Sequence, residues 1–352
     1  MSWRMLAGLL ALAALPAMAA EEDFIGQWDI TLHEGRGAKY GLLDIRRSAD
    51  GLTGYVEGGP ITLIIDGNNI EMGIDDRKTR GGAMVRYLRG VLKDGRMAGD
   101  YGPDHEPTPE ELSICQRMPL ACTIPTGTWE AVPHVDQAPP ADASPDDLAG
   151  AWVLTGRPMY KYTAALTDAA MAWKADYDVT MDLPGQRCQP WGLVNSWGFR
   201  GVGSPEFFLS ESRITMLMGS DIRRIYLDDR QPPEYTDWYP LGFSTGHWEG
   251  STLVVETTHL QPSIREWMGD PISENARVVE RYSVNDEGHL IGEMTVLDPE
   301  NYAEPPLKHA RWRRADDARI QFPGLCDPDS FYRQLDDDGL LDEYWKRGHR
   351  RY

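Results

Sequence analysis

Between Gly26 and Val132 apolar side chains alternate with polar ones in short runs: Trp28-Ile30-Leu32, Leu43-Ile45, Ile61-Leu63-Ile65, Ile70-Met72-Ile74, Tyr87 to Leu92, Met97 to Tyr101 and Trp129-Ala131. A period of two places one face of each run on a core and the other in water, the pattern of a half-buried strand. Asp50-Gly51, Asp66-Gly67 and Asp94-Gly95 fall between the runs. Asp-Gly tolerates the positive φ of tight hairpin turns, so consecutive strands should be antiparallel neighbours. The pattern predicts a meander of six or seven strands, closed into a small barrel or stacked as a sandwich so that no long edge stays open.

Residues 133–147 carry Pro133, Pro139, Pro140 and Pro145 among Ala, Asp and Ser, a linker composition. Beyond it Leu148-Ala149-Gly150-Ala151-Trp152 echoes Phe24-Ile25-Gly26-Gln27-Trp28. The echo fits two related barrels, and equally two unrelated strands that each begin with an aromatic plug. In the second half Thr163 to Tyr177 has helical spacing, with Thr163 or Thr167-Asp168 as the cap. Arg213 to Gly219, Ile222 to Leu227, Leu253 to Leu260, Arg277 to Val284, His289 to Leu297 and His309 to Arg313 read as strands. The expected architecture is all-β: two antiparallel barrel or meander domains with one or two short helices. Its divisions are 1–20 leader, 21–132 first barrel, 133–147 linker, 148–323 second barrel and 324–352 charged surface tail with one short docked helix.

Composition narrows the partners. The 352 residues hold 55 acidic and 35 basic side chains, a formal charge of −20. Polyanion binding needs a basic face, so nucleic acid and anionic membrane surface are excluded as expected partners. No apolar run beyond the N-terminus is long enough to span a bilayer, so no membrane insertion is expected. Arg4, the apolar stretch Met5 to Leu15, and Ala17 and Ala19 ahead of Glu21-Glu22-Asp23 read as a cleaved secretory leader. Export to a periplasmic or extracellular compartment makes the four cysteines two disulfides. Of the three pairings, Cys115–Cys122 closes a short loop and Cys188–Cys326 ties the start of the second half to its end. The cysteine spacings lack a C-x-x-C pair, and no metal site is expected.

The run Gly246-His247-Trp248-Glu249-Gly250-Ser251-Thr252-Leu253-Val254-Val255-Glu256-Thr257 follows Arg223-Arg224-Ile225-Tyr226-Leu227-Asp228-Asp229-Arg230 and precedes Glu280-Arg281-Tyr282 and Asp298-Pro299. In this order the segments resemble a large group of uncharacterised secreted bacterial proteins, over about residues 148 to 332. The chain departs from that group at Ile272, where relatives often carry His, and at Ser251, where they carry Asp. The resemblance implies a shared, lipocalin-like fold and brings no chemistry with it.

Candidate chemistry is read from strand parity. Glu280 lies on the apolar face of its strand with Val278, Tyr282 and Val284. A carboxylate there is either a tuned acid/base or half of a buried ion pair with Arg224, Arg277 or Arg281. His247 and Glu249 flank Trp248 before a turn, as a cooperating pair at a barrel rim or as plain surface residues. Arg224, Tyr226 and Asp228 share a face that could polarise a carbonyl or form a solvent-side ladder. His259 continues the face of Leu253, Val255 and Thr257 toward the interior. Trp238, Tyr239 and Trp267 sit in loop sequence where they would plug the barrel or stack on a ligand ring.

No Walker loop or H-E-x-x-H occurs, so a cofactor-free reaction is expected. The reading is a C-terminal barrel enclosing a small, partly apolar or aromatic organic molecule and transforming it by acid/base chemistry of the lyase, isomerase or hydrolase kind. His247 or Glu280 would move the proton, with Arg224, Tyr226 and Asp228 polarising the substrate and Glu249, His259 and the three aromatics holding it. The alternatives are a non-catalytic carrier and a glycan- or protein-binding module. A pocket holding an unpaired, desolvated carboxylate or imidazole favours the enzyme, an apolar pocket the carrier, and a filled barrel the module.

Overall fold

The computed structural model describes residues 21–34, 37–56, 59–75, 85–103, 105–106, 108–109, 126–135, 139–155, 157–158, 166–197, 204–218, 221–228, 230–232, 240–265, 269–315 and 327–347. The first half is an antiparallel meander of β1 (Gly26–Glu34), β2 (Gly37–Ser48), β3 (Gly51–Val56), β4 (Gly59–Asp66), β5 (Asn69–Asp75), β6 (Val85–Lys93), β7 (Arg96–Pro103) and β8 (Gly127–Pro133). Each strand pairs with the next, and β1 pairs with both β2 and β8, so eight strands close a barrel. Asp94 and Gly95 take φ of 52° and 73°, the left-handed pair that the hairpin needs. Alternate residues point inward. Trp28, Ile30, Leu32, Met72, Leu88, Met97 and Trp129 are buried and fill the interior.

The second half closes as a nine-stranded barrel in the order β11 (Pro205–Leu209), β12 (Arg213–Met218), β13 (Asp221–Tyr226), β14 (Phe243–Glu249), β15 (Thr252–Thr258), β18 (Arg277–Val284), β19 (His289–Leu297), β20 (Leu307–Arg314) and β9 (Gly150–Leu154). All its pairs are antiparallel except β13 with β14, which run parallel. A two-residue hairpin of β16 (Ser263–Ile264) and β17 (Pro271–Ile272) stands apart from this sheet. Trp152, Trp197, Phe207, Tyr282 and Trp312 are almost fully buried and pack with Met216, Met218 and Met294. The barrel is therefore filled by its own side chains.

The Gly-x-Trp echo has one structural construction in both halves. A 3₁₀ turn (Glu21–Phe24; Pro145–Leu148) leads through a glycine at positive φ (Gly26, 136°; Gly150, 98°) into the first strand. The indole of Trp28 then donates to the Phe24 carbonyl at 2.9 Å, and that of Trp152 to the Leu148 carbonyl at 3.0 Å. Each barrel thus starts by folding its plug back over its own entry turn, satisfying the buried indole N–H.

Short helices decorate the second barrel. Thr167 caps the helix Asp168–Ala175, its hydroxyl accepting from the Ala170 N–H at 3.2 Å. The tail differs from the single helix expected. Two helices, Pro328–Asp337 and Leu341–Lys346, bury Leu335 and Tyr344 against Met181 in a small core of their own. Among the described residues no helix is long and apolar enough to cross a membrane. The halves meet where β10 (Arg157–Pro158) adds in parallel to β2 and where β2 lies against β20.

Gly292 faces inward, and a Cβ there would lie 2.7 Å from the Trp312 ring and 2.9 Å from that of Trp197. Two rigid indoles cannot both withdraw. Gly292→Ala should lower stability by about 1–3 kcal/mol, the usual cost of overpacking, read as a reduced Tm in calorimetry.

Candidate functional site

Glu280 is inside the barrel, fully buried, as its parity requires. Its partner is Arg223, on the strand that pairs at β12 and β14, and not Arg224. The Arg223 guanidinium donates to both Glu280 oxygens, at 3.0 and 2.5 Å. Its remaining donors go to Ser244 Oγ at 3.0 Å and Thr257 Oγ1 at 2.7 Å. Tyr282 donates to Glu280 at 2.7 Å, and the Trp197 indole donates to Tyr282 Oη at 3.1 Å. Burial first, and the Glu280 carboxylate next, hold the Tyr282 phenol well above its ordinary pKa. Every polar atom of this network is engaged within the barrel, which makes Glu280 half of a structural ion pair.

The other residues expected at the site lie on outer surfaces and do not converge. Arg224 and Asp228 are exposed, while Tyr226 stacks on Phe243 at 5.5 Å. Arg230 lies 4.2 Å over the Tyr226 ring and binds Asp228 at 2.8 and 3.1 Å, lowering the Asp228 pKa. His247, with a side chain 64% exposed, contacts Glu249 at 3.3 Å, and Glu249 binds Arg281 at 2.8 Å. His259 leaves the strand in the left-handed region, φ 54°, and bonds Thr258 Oγ1 at 2.9 Å. That turn breaks the parity that would have carried its ring inside. Trp238, Tyr239 and Trp267 lie outside the described residues.

A cleft of about 720 Å³ lies between the two barrels, and its walls are their outward faces. On the second barrel, Arg281, Glu293 and His309 are consecutive partners across β18, β19 and β20, and Ser283, Ile291 and Arg311 form the next row. On the first, Asp29 pairs with Val132 and Thr31 with Glu130 across β1 and β8. These are the positions that strand parity turns toward solvent. The facing barrel covers them in part, and His134 and His309 most of all, with side chains 13% and 14% exposed.

His134 and His309 meet in this cleft, ring centroids 5.9 Å apart and tilted 65°. His134 follows β8, its N–H bound to the Gln27 carbonyl at 2.8 Å, and its Nδ1 lies 2.8 Å from Asp29 Oδ1. An adjacent carboxylate fixes the Nδ1–H tautomer and directs proton exchange to Nε2. His309 Nδ1 is 3.5 Å from Glu293 Oε1. Its Nε2 is buried and has no hydrogen-bond partner among the described residues. Burial first, then the neighbouring His134, push the His309 pKa down to about 4 against the opposing pull of Asp29. His309 is therefore neutral at pH 7, with one ring nitrogen unused. Such an atom costs about 1–3 kcal/mol to leave unsatisfied, which is why perturbed, unpartnered groups in clefts mark candidate sites.

In the sequence His134 falls within the linker composition of residues 133–147, and His309 reads only as the start of a strand. The two are 175 positions apart by their numbers, and only the packing of one closed barrel on another joins them. No local pattern encodes that contact. Among the described residues no three His, Cys, Asp or Glu side chains gather as a metal site.

A second buried charge cluster has a structural role. Asp270 accepts from Lys174 and from Arg265, and the Arg265 N–H donates to the Asp270 carbonyl at 2.7 Å. Burial would raise the Asp270 pKa, but Arg265 and Lys174 outweigh it and hold the carboxyl low. The cluster clips the β16–β17 hairpin to the helix Asp168–Ala175.

No family model matches the chain, and no curated protein matches it. Among solved structures, a protein of unknown function from the DUF3598 family of Nostoc punctiforme is similar over 84% of this chain and 97% of its own length. Its sequence identity is 10% and its TM-score 0.26.

The buried pair makes a quantitative prediction. Glu280→Gln leaves the Arg223 charge uncompensated and should cost about 3–5 kcal/mol in denaturant unfolding, whereas the double variant Arg223→Met/Glu280→Leu should recover most of that loss.

Proposed function

We propose that this protein binds a small, partly apolar organic molecule in the cleft between its barrels and transforms it by cofactor-free acid/base chemistry. The carrying observation is the neutral, buried, unpartnered Nε2 of His309 beside His134 and its Asp29. The filled barrel argues against a ligand in the interior and, taken alone, favours an interaction module. The cleft restores the enzyme reading because it holds a desolvated imidazole without a partner.

In this scheme His134 is the base. Asp29 holds Nδ1–H and stabilises the imidazolium formed when Nε2 takes a proton. Arg281 and Arg311, both at the cleft wall, donate to an oxygen on which charge develops. His309, a weak base at its low pKa, packs edge-on against His134 and stays neutral beside it. Val132, Pro139 and Ile291 supply apolar contact, so the substrate class is an organic molecule with one apolar part and at least one hydrogen-bond donor. A non-catalytic carrier is the second reading, favoured by the same weak basicity of His309.

We also propose export of the chain, supported by the leader-like residues 1–20, which lie outside the described residues, and by Cys188, which is disulfide-bonded. Its partner lies outside the described residues, as do Cys115, Cys122 and Cys326. Non-reducing peptide mapping of the mature protein should recover Cys188–Cys326 and Cys115–Cys122; free thiols at these positions would contradict the export argument.

For the site, a thermal-shift screen of small hydroxylated and amino compounds should yield ligands that stabilise the wild type. Ile291→Trp, which fills the cleft, should abolish that stabilisation. With a turned-over ligand, His134→Ala should lower kcat by about 10²–10⁴-fold, the usual loss of an acid/base group. Unchanged ligand stabilisation in Ile291→Trp would place binding elsewhere and end this reading.

A further inference from the structure

The pair of imidazoles that marks the cleft also joins the two barrels. His134 belongs to the first barrel and is fixed there by two bonds, from its N–H to Gln27 and from its Nδ1 to Asp29. His309 belongs to β20 of the second and meets it edge-on. Glu293 stands beside Nδ1 of His309, and Nε2 is buried without a hydrogen-bond partner among the described residues. A proton added at Nε2 therefore finds no acceptor there. It also faces a second titratable ring.

We infer that protonation of His309 in acid separates the two barrels and opens the cleft to solvent, so that the ligand is released. This rests on the cleft being the binding site, as proposed above. Among the described residues the charged and titratable groups that line the cleft with His309 are Asp29 from β1, Arg96 from β7, Glu130 from β8, His134 from the segment after β8, Arg281 from β18, Glu287 from the turn after it, Glu293 from β19 and Arg311 from β20 itself. The described residue of β2 at the cleft is Gly41, which carries no charge, and the neighbouring Lys308 is engaged elsewhere, on the Val194 carbonyl at 3.1 Å. Asp29 and Glu293 soften the penalty, while His134 and Arg311 add to it.

The direction follows from linkage. The closed form holds His309 at about 4, against the ordinary 6.5 expected once the ring is solvated. Between those two values the open form binds a proton that the closed form refuses, so falling pH shifts the balance toward opening. Above about 6.5 both forms are neutral at this ring, and below about 4 both are charged and the shift is complete. A difference of about 2.5 pH units corresponds to a shift of up to about 300-fold in the opening equilibrium.

Spin labels at Ile64→Cys on β4 and Phe208→Cys on β11, both exposed positions, report the separation of the barrels by pulsed dipolar spectroscopy. The full-length protein should give one distance at pH 7 and a longer second population that grows from pH 6.5 to 4, with far-UV circular dichroism unchanged. In a His309→Gln background the pH 7 distance should persist to pH 4. A wild type whose distance does not change down to pH 4, or a His309→Gln protein that opens as the wild type does, overturns the inference. The measurement needs no ligand, so a protein that opens in acid yet binds nothing in the cleft would refute the binding reading and leave the gate standing.

Discussion

The bidentate contact between Arg223 and Glu280 decides where chemistry can occur in this molecule. Two opposite charges at the centre of a barrel are tolerable only when each donor and acceptor is satisfied, and Ser244, Thr257, Tyr282 and Trp197 complete that set. The network spans four strands and the turn that carries Trp197, and the indoles of Trp152 and Trp312 take up the rest of the interior. Among the described residues, a lumen built this way has no polar group left over for a ligand. The groups able to do chemistry are therefore those on the outside of the strands.

Outward-facing polar residues are ordinarily solvated and chemically ordinary, as His247 and Glu249 show on the second barrel. The same kind of residue changes character where one closed barrel covers another. His309 occupies a position that strand parity assigns to solvent, but burial against the first barrel, and then His134, lower its pKa against the pull of Asp29. Two structures that each satisfy themselves internally thus create a third environment between them. Because few apolar residues line that junction, it is also the part of the fold best suited to move.

Much of the architecture was legible in the chain. Alternation and Asp-Gly turns specify the first meander and alternation alone the strands of the second barrel, and the Gly-x-Trp echo corresponds to a shared construction in which each indole caps its own entry turn. The burial of Glu280 follows from parity alone. Its partner does not, because Ile222-Arg223-Arg224-Ile225-Tyr226-Leu227 offers two nearly equal faces, one with Ile222 and Tyr226 and the other with Ile225 and Leu227. The register against Met216 selects the second face and turns Arg223 inward. Parity fails at His259 because a residue at positive φ does not continue its strand's alternation. The cleft was illegible for a different reason: it depends on how two closed surfaces dock, and neither His134 nor His309 carries a local pattern that reports its distant neighbour.

The account stands or falls on the state of His309 in the folded protein. Long-range ¹H–¹⁵N NMR of the histidine side chains, followed from pH 8 to pH 3, reads both the tautomer and the titration midpoint of each ring. The account predicts that His309 is neutral at pH 7, carries its proton on Nδ1, and becomes charged only near pH 4. A His309 ring that titrates near 6.5 like a solvated histidine would contradict it, because the cleft would then be wet, the ring hydrated, and no desolvated base or donor would exist between the barrels.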